Sequence, residues 1–135
     1  MKIGALEAGG TKMVCAVGDE GGNIVKRVSF PTRTPEETMP LFFFFFRGGE
    51  IKALGVGCFG PIDLNRSSKT YGHITSTPKL AWANYDITGK LKEELLVPVG
   101  FDTDVNGAAL GEVVFGAAVT DGFLAVTVCC CCCFF

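Results

Sequence analysis

Lys2 to Val17, KIGALEAGGTKMVCAV, holds two apolar runs, Lys2 to Leu6 and Met13 to Val17, on either side of Glu7, Ala8, Gly9, Gly10, Thr11 and Lys12. The runs read as paired antiparallel strands, so the glycine pair falls where the hairpin reverses. Two glycines leave the backbone amides uncovered. A phosphate can then approach several N–H donors closely, with Thr11 adding a hydroxyl and Lys12 a cation. A tight turn alone would equally account for Gly9 and Gly10, so the rest of the chain has to decide.

Outward from this hairpin, Asp19 to Asn23 is a turn cluster and Ile24 to Phe30 a third strand, completing a meander. Thr34, Pro35 and Glu37 then supply an N-cap, a first-turn proline and a capping-box carboxylate for a helix that Pro40 should bend. Ile51 to Gly57 reads as a short strand. The polar stretch from Cys58 to Tyr85 has little periodicity and reads as a functional loop. Asp86 caps a helix whose Ile87, Leu91 and Leu95 recur every four residues. Val97 to Phe101 is another strand, Asp102, Thr103 and Asp104 open a helix running to about Phe115, and Phe123 to Val128 begins one more strand. This order suits an α/β lobe with a mixed sheet.

At 135 residues the chain has room for one ordinary domain. A formal charge of -2 and a pI near 5.3 give no basic field for nucleic acid and no polybasic surface for anionic membranes. No stretch approaches the length of a transmembrane helix, so a cytoplasmic location is expected. Five of the seven cysteines are contiguous, Cys129 to Cys133. Adjacent Cα atoms lie about 3.8 Å apart, short of the usual disulfide span, and the CxxC spacing of zinc sites is absent. Cys15 and Cys58 read as small buried hydrophobes. The run Phe42 to Phe46 has neither a helical nor a strand period, and both homopolymer tracts stand apart from their well-patterned flanks.

The second informative segment is DTDVNGAALGE, Asp102 to Glu112, where a strand runs into a helix, a place that ligand sites in α/β sheets favour. Capping the helix would by itself explain Asp104, and close packing on the sheet would explain Gly107, Ala108, Ala109 and Gly111. His73, the lone histidine, reads as a loop residue and not a metal ligand. Trp82 reads as a packing residue before a sugar-stacking one.

EAGGTK from Glu7, GCFGPID from Gly57, YGHITSTPKLAW from Tyr71 and DTDVNGAALGE together resemble, in order, the motifs of the bacterial ROK family of sugar kinases, and most closely its fructokinase branch. Glu7 and the TPK before Trp82 favour that branch. The resemblance implies a ribonuclease-H-like, actin-like ATPase fold of two lobes, with residues 1–118 as the N-terminal sugar- and phosphate-binding lobe and 119–135 as the start of the C-terminal lobe. It implies ATP-dependent phosphorylation of a hexose, fructose to fructose 6-phosphate. Asp104 would be the general base that accepts the proton of the attacking hydroxyl. Gly9, Gly10, Thr11 and Lys12 would hold the ATP phosphates, with Glu7 near Mg²⁺, although an ordinary strand-end charge would equally account for Glu7. Gly60, Pro61, Thr103, Asn106 and Glu112 would line the sugar side, and Lys79 would contact substrate or nucleotide. Members of the family are often homodimers.

The family follows a strand like Leu124 to Val128 with a Gly-Thr-Gly phosphate turn, where this chain has Cys129, Cys130 and Cys131. Side chains there block the close backbone approach that glycine permits. The family's zinc ligands lie beyond Phe135, so no zinc is expected. Phosphoryl transfer draws on both sides of a cleft, and these 135 residues alone are expected to be inactive and prone to aggregate through Phe123 to Phe135. The alternatives are a glucose or mannose kinase, or a non-enzymatic sugar-binding or regulatory protein of the same family. Repressors of the family carry a DNA-binding domain ahead of the glycine turn, and a turn beginning at Glu7 disfavours that reading.

Overall fold

A computed structural model describes residues 1–107 and 109 of the chain. Period-two alternation builds the first hairpin. Leu6, Ala8, Met13, Cys15 and Val17 are buried with the main core, whereas Ala5, Val14 and Ala16 are buried on the other face. These residues form β1 (Ile3–Ala8) and β2 (Lys12–Gly18), antiparallel, and β3 (Ile24–Pro31) pairs antiparallel with β2. The strands extend past the apolar runs, so Glu7 and Ala8 end β1 and Lys12 begins β2.

β4 (Leu54–Cys58) lies parallel to β1, and β5 (Val99–Thr103) parallel to β4, giving a five-stranded mixed sheet in the order β3-β2-β1-β4-β5. Parallel neighbours need crossovers. The first contains α1 (Pro35–Gly49) and the second α2 (Ile87–Leu95). Both helices bury residues in the core cluster that holds Leu6, Leu54 and Val56, and Arg47 of α1 forms an ion pair with Glu94 of α2.

Two expectations about α1 need correcting. Thr34 is its N-cap, but the Thr34 side chain makes no capping hydrogen bond, so no capping box forms. Pro35 at the first turn and the acidic Glu36 and Glu37 start the helix instead. The phenylalanine run is not foreign to the helix. The run has no period of its own, but the helix imposes one: Phe42, Phe45 and Phe46 are buried while Phe44 is 83% exposed. Burying each of the three contributes about 1.5–3 kcal/mol.

The Asp86 cap forms as expected, its carboxylate accepting from Gly89 N–H at 2.9 Å. Between β4 and α2 the chain folds back on itself through an Ile62–Ile74 bridge and a short 3₁₀ turn, Leu80–Trp82. Trp82 is 1% exposed and packs edge-on against Phe59 and Tyr85. Cys15 and Cys58 are buried, as expected. Among the described residues no helix is long and apolar enough to cross a membrane. The helix expected to run to Phe115, the strand from Phe123 and the cysteine tract lie mostly or wholly outside the described residues, which include of that helix only 104–107 and 109.

Candidate active site

Parallel pairing puts three chain exits at one edge. Ala8 is in register with Cys58, and Cys58 with Thr103, so the segments after β1, β4 and β5 leave the sheet side by side. Those segments are the glycine turn, the Gly60–Pro61 turn and Asp104. This carboxyl-end edge is where open α/β sheets bind ligands. Phe59 N–H donates to Ala8 carbonyl at 2.8 Å and ties the first two exits together.

Within the glycine turn the two glycines have different reasons to be glycine. A Cβ on Gly9 would lie 2.4 Å from the Lys12 carbonyl oxygen, which accepts Gly9 N–H at 3.0 Å, so the turn itself demands Gly9. A Cβ on Gly10 would meet nothing nearer than Lys79 Cε at 3.9 Å. The protein leaves that space open. Among the described residues no hydrogen bond takes up the N–H of Gly10 or Thr11, and the exposed Thr11 and Lys12 side chains stand next to them. Two unused donors, a hydroxyl and cations suit an anion.

Lys79 reaches this turn from the long connection. Lys79 N–H donates to the buried Thr77 hydroxyl at 3.2 Å, which sets the direction of the chain there. The same connection holds the Gly60–Pro61 turn, whose Pro61 carbonyl accepts from Thr75 N–H at 2.8 Å and from the Thr75 hydroxyl at 3.1 Å. A Cβ on Gly60 would meet only Ile62 N, at 3.5 Å, an ordinary contact. Gly60, like Gly10, has room for a Cβ. His73 sits in this loop with Nδ1 3.7 Å from an Asp86 oxygen.

At the third exit, side chains fix one another. Thr103 hydroxyl accepts Asn106 N–H at 3.0 Å and caps the helix start. Asp102 Oδ1 accepts from Thr103 N–H at 2.7 Å and from Asn106 Nδ2 at 2.8 Å, which orients the Asn106 amide. Asp104, half-buried, accepts Val105 N–H at 2.9 Å. Burial, and then the charge of Asp104, push the neighbouring Cys58 thiol well above its ordinary range, so it stays protonated beside the site.

Glu7 is not in the turn but one residue before the end of β1. It shares a row of the sheet with Asp102, with Gly57 of β4 between them. Among the described residues no group of three His, Cys, Asp or Glu gathers as a self-sufficient metal site. One or two carboxylates beside a phosphate site nevertheless fit Mg²⁺, which usually completes its shell with water and phosphate oxygens. The edge thus brings together Gly9, Gly10, Thr11, Lys12 and Lys79 at the first turn, Gly60 and Pro61 at the second, and Thr103, Asp104 and Asn106 at the third. Glu112 lies outside the described residues. Sequence reasoning missed Thr32 and Asp102. Thr32 N–H donates to Thr11 carbonyl at 2.9 Å and its hydroxyl donates to Gly9 carbonyl at 2.6 Å. A lone threonine after a strand carries no signal for such a contact, whereas an Asx residue just before a helix start does carry one for Asp102.

The sequence pattern of the ROK family matches residues 3–131. Over 110 residues the chain is 54% identical to a fructokinase of Lactococcus lactis subsp. cremoris, covering 82% of this chain and 38% of that one. Over 118 residues it is 48% identical to a fructokinase of Pediococcus pentosaceus, covering 87% of this chain and 41% of that one. The chain therefore spans about two fifths of the length of these relatives. Its fold superposes on a ROK family glucokinase from Streptomyces griseus, solved in complex with glucose and AMPPNP, with a TM-score of 0.73 and 27% identity over 87% of this chain and 38% of that one.

Proposed function

The chain belongs to the ROK family, and from that premise we propose that it is the phosphate- and sugar-binding lobe of an ATP-dependent hexose kinase whose substrate is fructose. One observation carries the reading: three adjacent strands deliver an open glycine turn, an open Gly-Pro turn and a carboxylate to the same edge. A kinase needs those three parts at one place, because phosphoryl transfer is mostly positioning and charge stabilisation.

In this reading the ATP phosphates lie over Gly10, accepting from the Gly10 and Thr11 amides, with Lys12 and Lys79 offsetting their charge. Glu7 would hold Mg²⁺, which when bound would neutralise charge on the phosphate oxygens. The sugar lies between the Gly60–Pro61 turn and the helix start, with the Asn106 amide, held by Asp102, presented to its hydroxyls. The 6-hydroxyl oxygen attacks the γ-phosphorus and its proton passes to the Asp104 carboxylate. The bond from that phosphorus to the β-γ bridging oxygen breaks, and ADP leaves. Fructose as the substrate is supported by the two fructokinase relatives, both near half identical.

The test is an ADP-release assay on the full-length protein, one of the relatives' length that carries this lobe. Fructose should be phosphorylated with a higher kcat/KM than glucose or mannose. Asp104→Asn should lower kcat by about 10²–10⁴-fold, with the KM for fructose nearly unchanged. An absence of fructose turnover in the full-length protein would overturn the reading. Preference for glucose or mannose would keep the kinase and replace the substrate.

A further inference from the structure

We infer that Thr32 is a positioning residue for the nucleotide-phosphate turn, holding it in its open form from outside; this rests on the reading of Gly9 to Lys12 as a phosphate site. The turn has little to hold itself. Its one internal backbone bond runs from Gly9 N–H to Lys12 carbonyl, at 3.0 Å. The Gly10 and Thr11 amides must remain uncommitted if they are to meet a phosphate, so they cannot brace the loop. Thr32 supplies the bracing through carbonyls, which a phosphate does not need. Its N–H takes Thr11 carbonyl at 2.9 Å, and its hydroxyl takes Gly9 carbonyl at 2.6 Å.

The first of these bonds extends the β2–β3 ladder by one rung, and any residue but proline can make it. The second belongs to no ladder and needs a hydroxyl at this position. Pulling the Gly9 and Thr11 carbonyls toward Thr32 bears on the peptide groups whose N–H belong to Gly10 and to Lys12, because each carbonyl shares its plane with the following N–H. Thr32 therefore sets the orientation of Gly10 N–H without touching the ligand. One residue on, Arg33 carbonyl accepts from Trp82 Nε1 at 2.7 Å. The 31–34 segment thus also joins the turn to the connection that carries Lys79.

The experiment compares Thr32→Val, which keeps the shape and the N–H but loses the hydroxyl, with Thr32→Ser, which keeps the hydroxyl, in the full-length protein. Thr32→Val should raise the KM for ATP about tenfold and leave the KM for fructose within twofold. Thr32→Ser should restore the ATP value to within about threefold of wild type. An ATP KM within twofold of wild type in Thr32→Val overturns the inference. So does a parallel rise in both KM values, which would mark a merely structural role, and so does a failure of Thr32→Ser to rescue. Should Thr32→Val not fold, Thr32→Ala and Thr32→Ser are compared by the same KM split. Gly10→Ala separates this inference from its premise: an unchanged ATP KM there refutes the phosphate reading itself, whereas a raised ATP KM beside an unaffected Thr32→Val refutes Thr32 alone.

Discussion

The β1–β2 and β2–β3 connections are both short antiparallel hairpin turns with a glycine pair, and they are built on opposite plans. The 19–23 turn closes on itself. Asp19 carboxylate accepts from Gly21 N–H at 2.9 Å and Asn23 N–H at 3.0 Å, while Asp19 N–H donates to Asn23 carbonyl and Gly22 N–H to Asp19 carbonyl. The 9–12 turn leaves its central amides unpartnered among the described residues and takes its support from Thr32, 23 positions away. A turn that only reverses the chain uses its donors locally. A turn that binds keeps them and is braced through its carbonyls. Glycines in the two turns should therefore respond differently to the same substitution, and that is how the comparison can be broken.

The largest effect belongs to Gly9→Ala. Its Cβ would sit 2.4 Å from a backbone oxygen, so the turn must open. The expected cost is roughly 1–3 kcal/mol of stability, together with loss of most nucleotide affinity. Thermal denaturation and calorimetric titration with AMPPNP check both. A variant as stable as wild type would mean that the turn can move its Lys12 carbonyl aside at little cost.

Gly10→Ala and Gly22→Ala form a reciprocal pair. Gly10 has open space around it and no left-handed backbone, so alanine there should leave stability unchanged or raise it by about 0.4–1 kcal/mol through the unfolded chain. Nucleotide affinity should nevertheless fall about tenfold, some 1.4 kcal/mol, because the new methyl occupies the approach to the Gly10 amide. Gly22 has φ +84°, so alanine should cost about 1 kcal/mol of stability and leave nucleotide affinity untouched. If the two substitutions moved the same observable, the two turns would not differ in kind.

Much of this was legible in the sequence because the signals are local. Alternating apolar residues mark the hairpin, and Asp86 just ahead of the Ile87, Leu91 and Leu95 spacing marks a cap. The meander and the mixed sheet also follow from the order and spacing of the elements. What stayed hidden depends on distant partners. Thr32 meets Gly9 only because β3 returns beside β2, and the Trp82 indole meets Arg33 carbonyl across 49 positions. Thr34 shows the converse: a capping sequence was present, yet the Thr34 side chain bonds no backbone amide. The phenylalanine run was unreadable because period analysis needs polar residues for contrast, and five identical side chains offer none. Glu7 reads from sequence either as part of the turn or as a strand-end charge, and the ladder, extending past the apolar run, makes it a strand residue opposite Gly57.

The smallest effect is one of pH. Hydrogen bonds, first from the Asn23 side chain and then from Asn23 N–H, hold the Asp19 carboxyl below its ordinary range. A depressed carboxyl contributes stability that is present above its unfolded value and lost as pH falls through its folded value. Amide exchange at Gly21 and Asn23 should therefore quicken, relative to the intrinsic rate, only on acidification below the usual carboxylate range, and Asp19→Asn should remove that dependence. Because Asp19 is solvent-exposed the shift in global stability is slight. The 9–12 turn contains no carboxylate, and its carbonyl braces from Thr32 do not titrate. Exchange at Gly10 and Thr11 should follow the intrinsic rate across the same window. An acid transition there matching that of Gly21 would show that the open turn borrows its order from a titrating neighbour and not from Thr32.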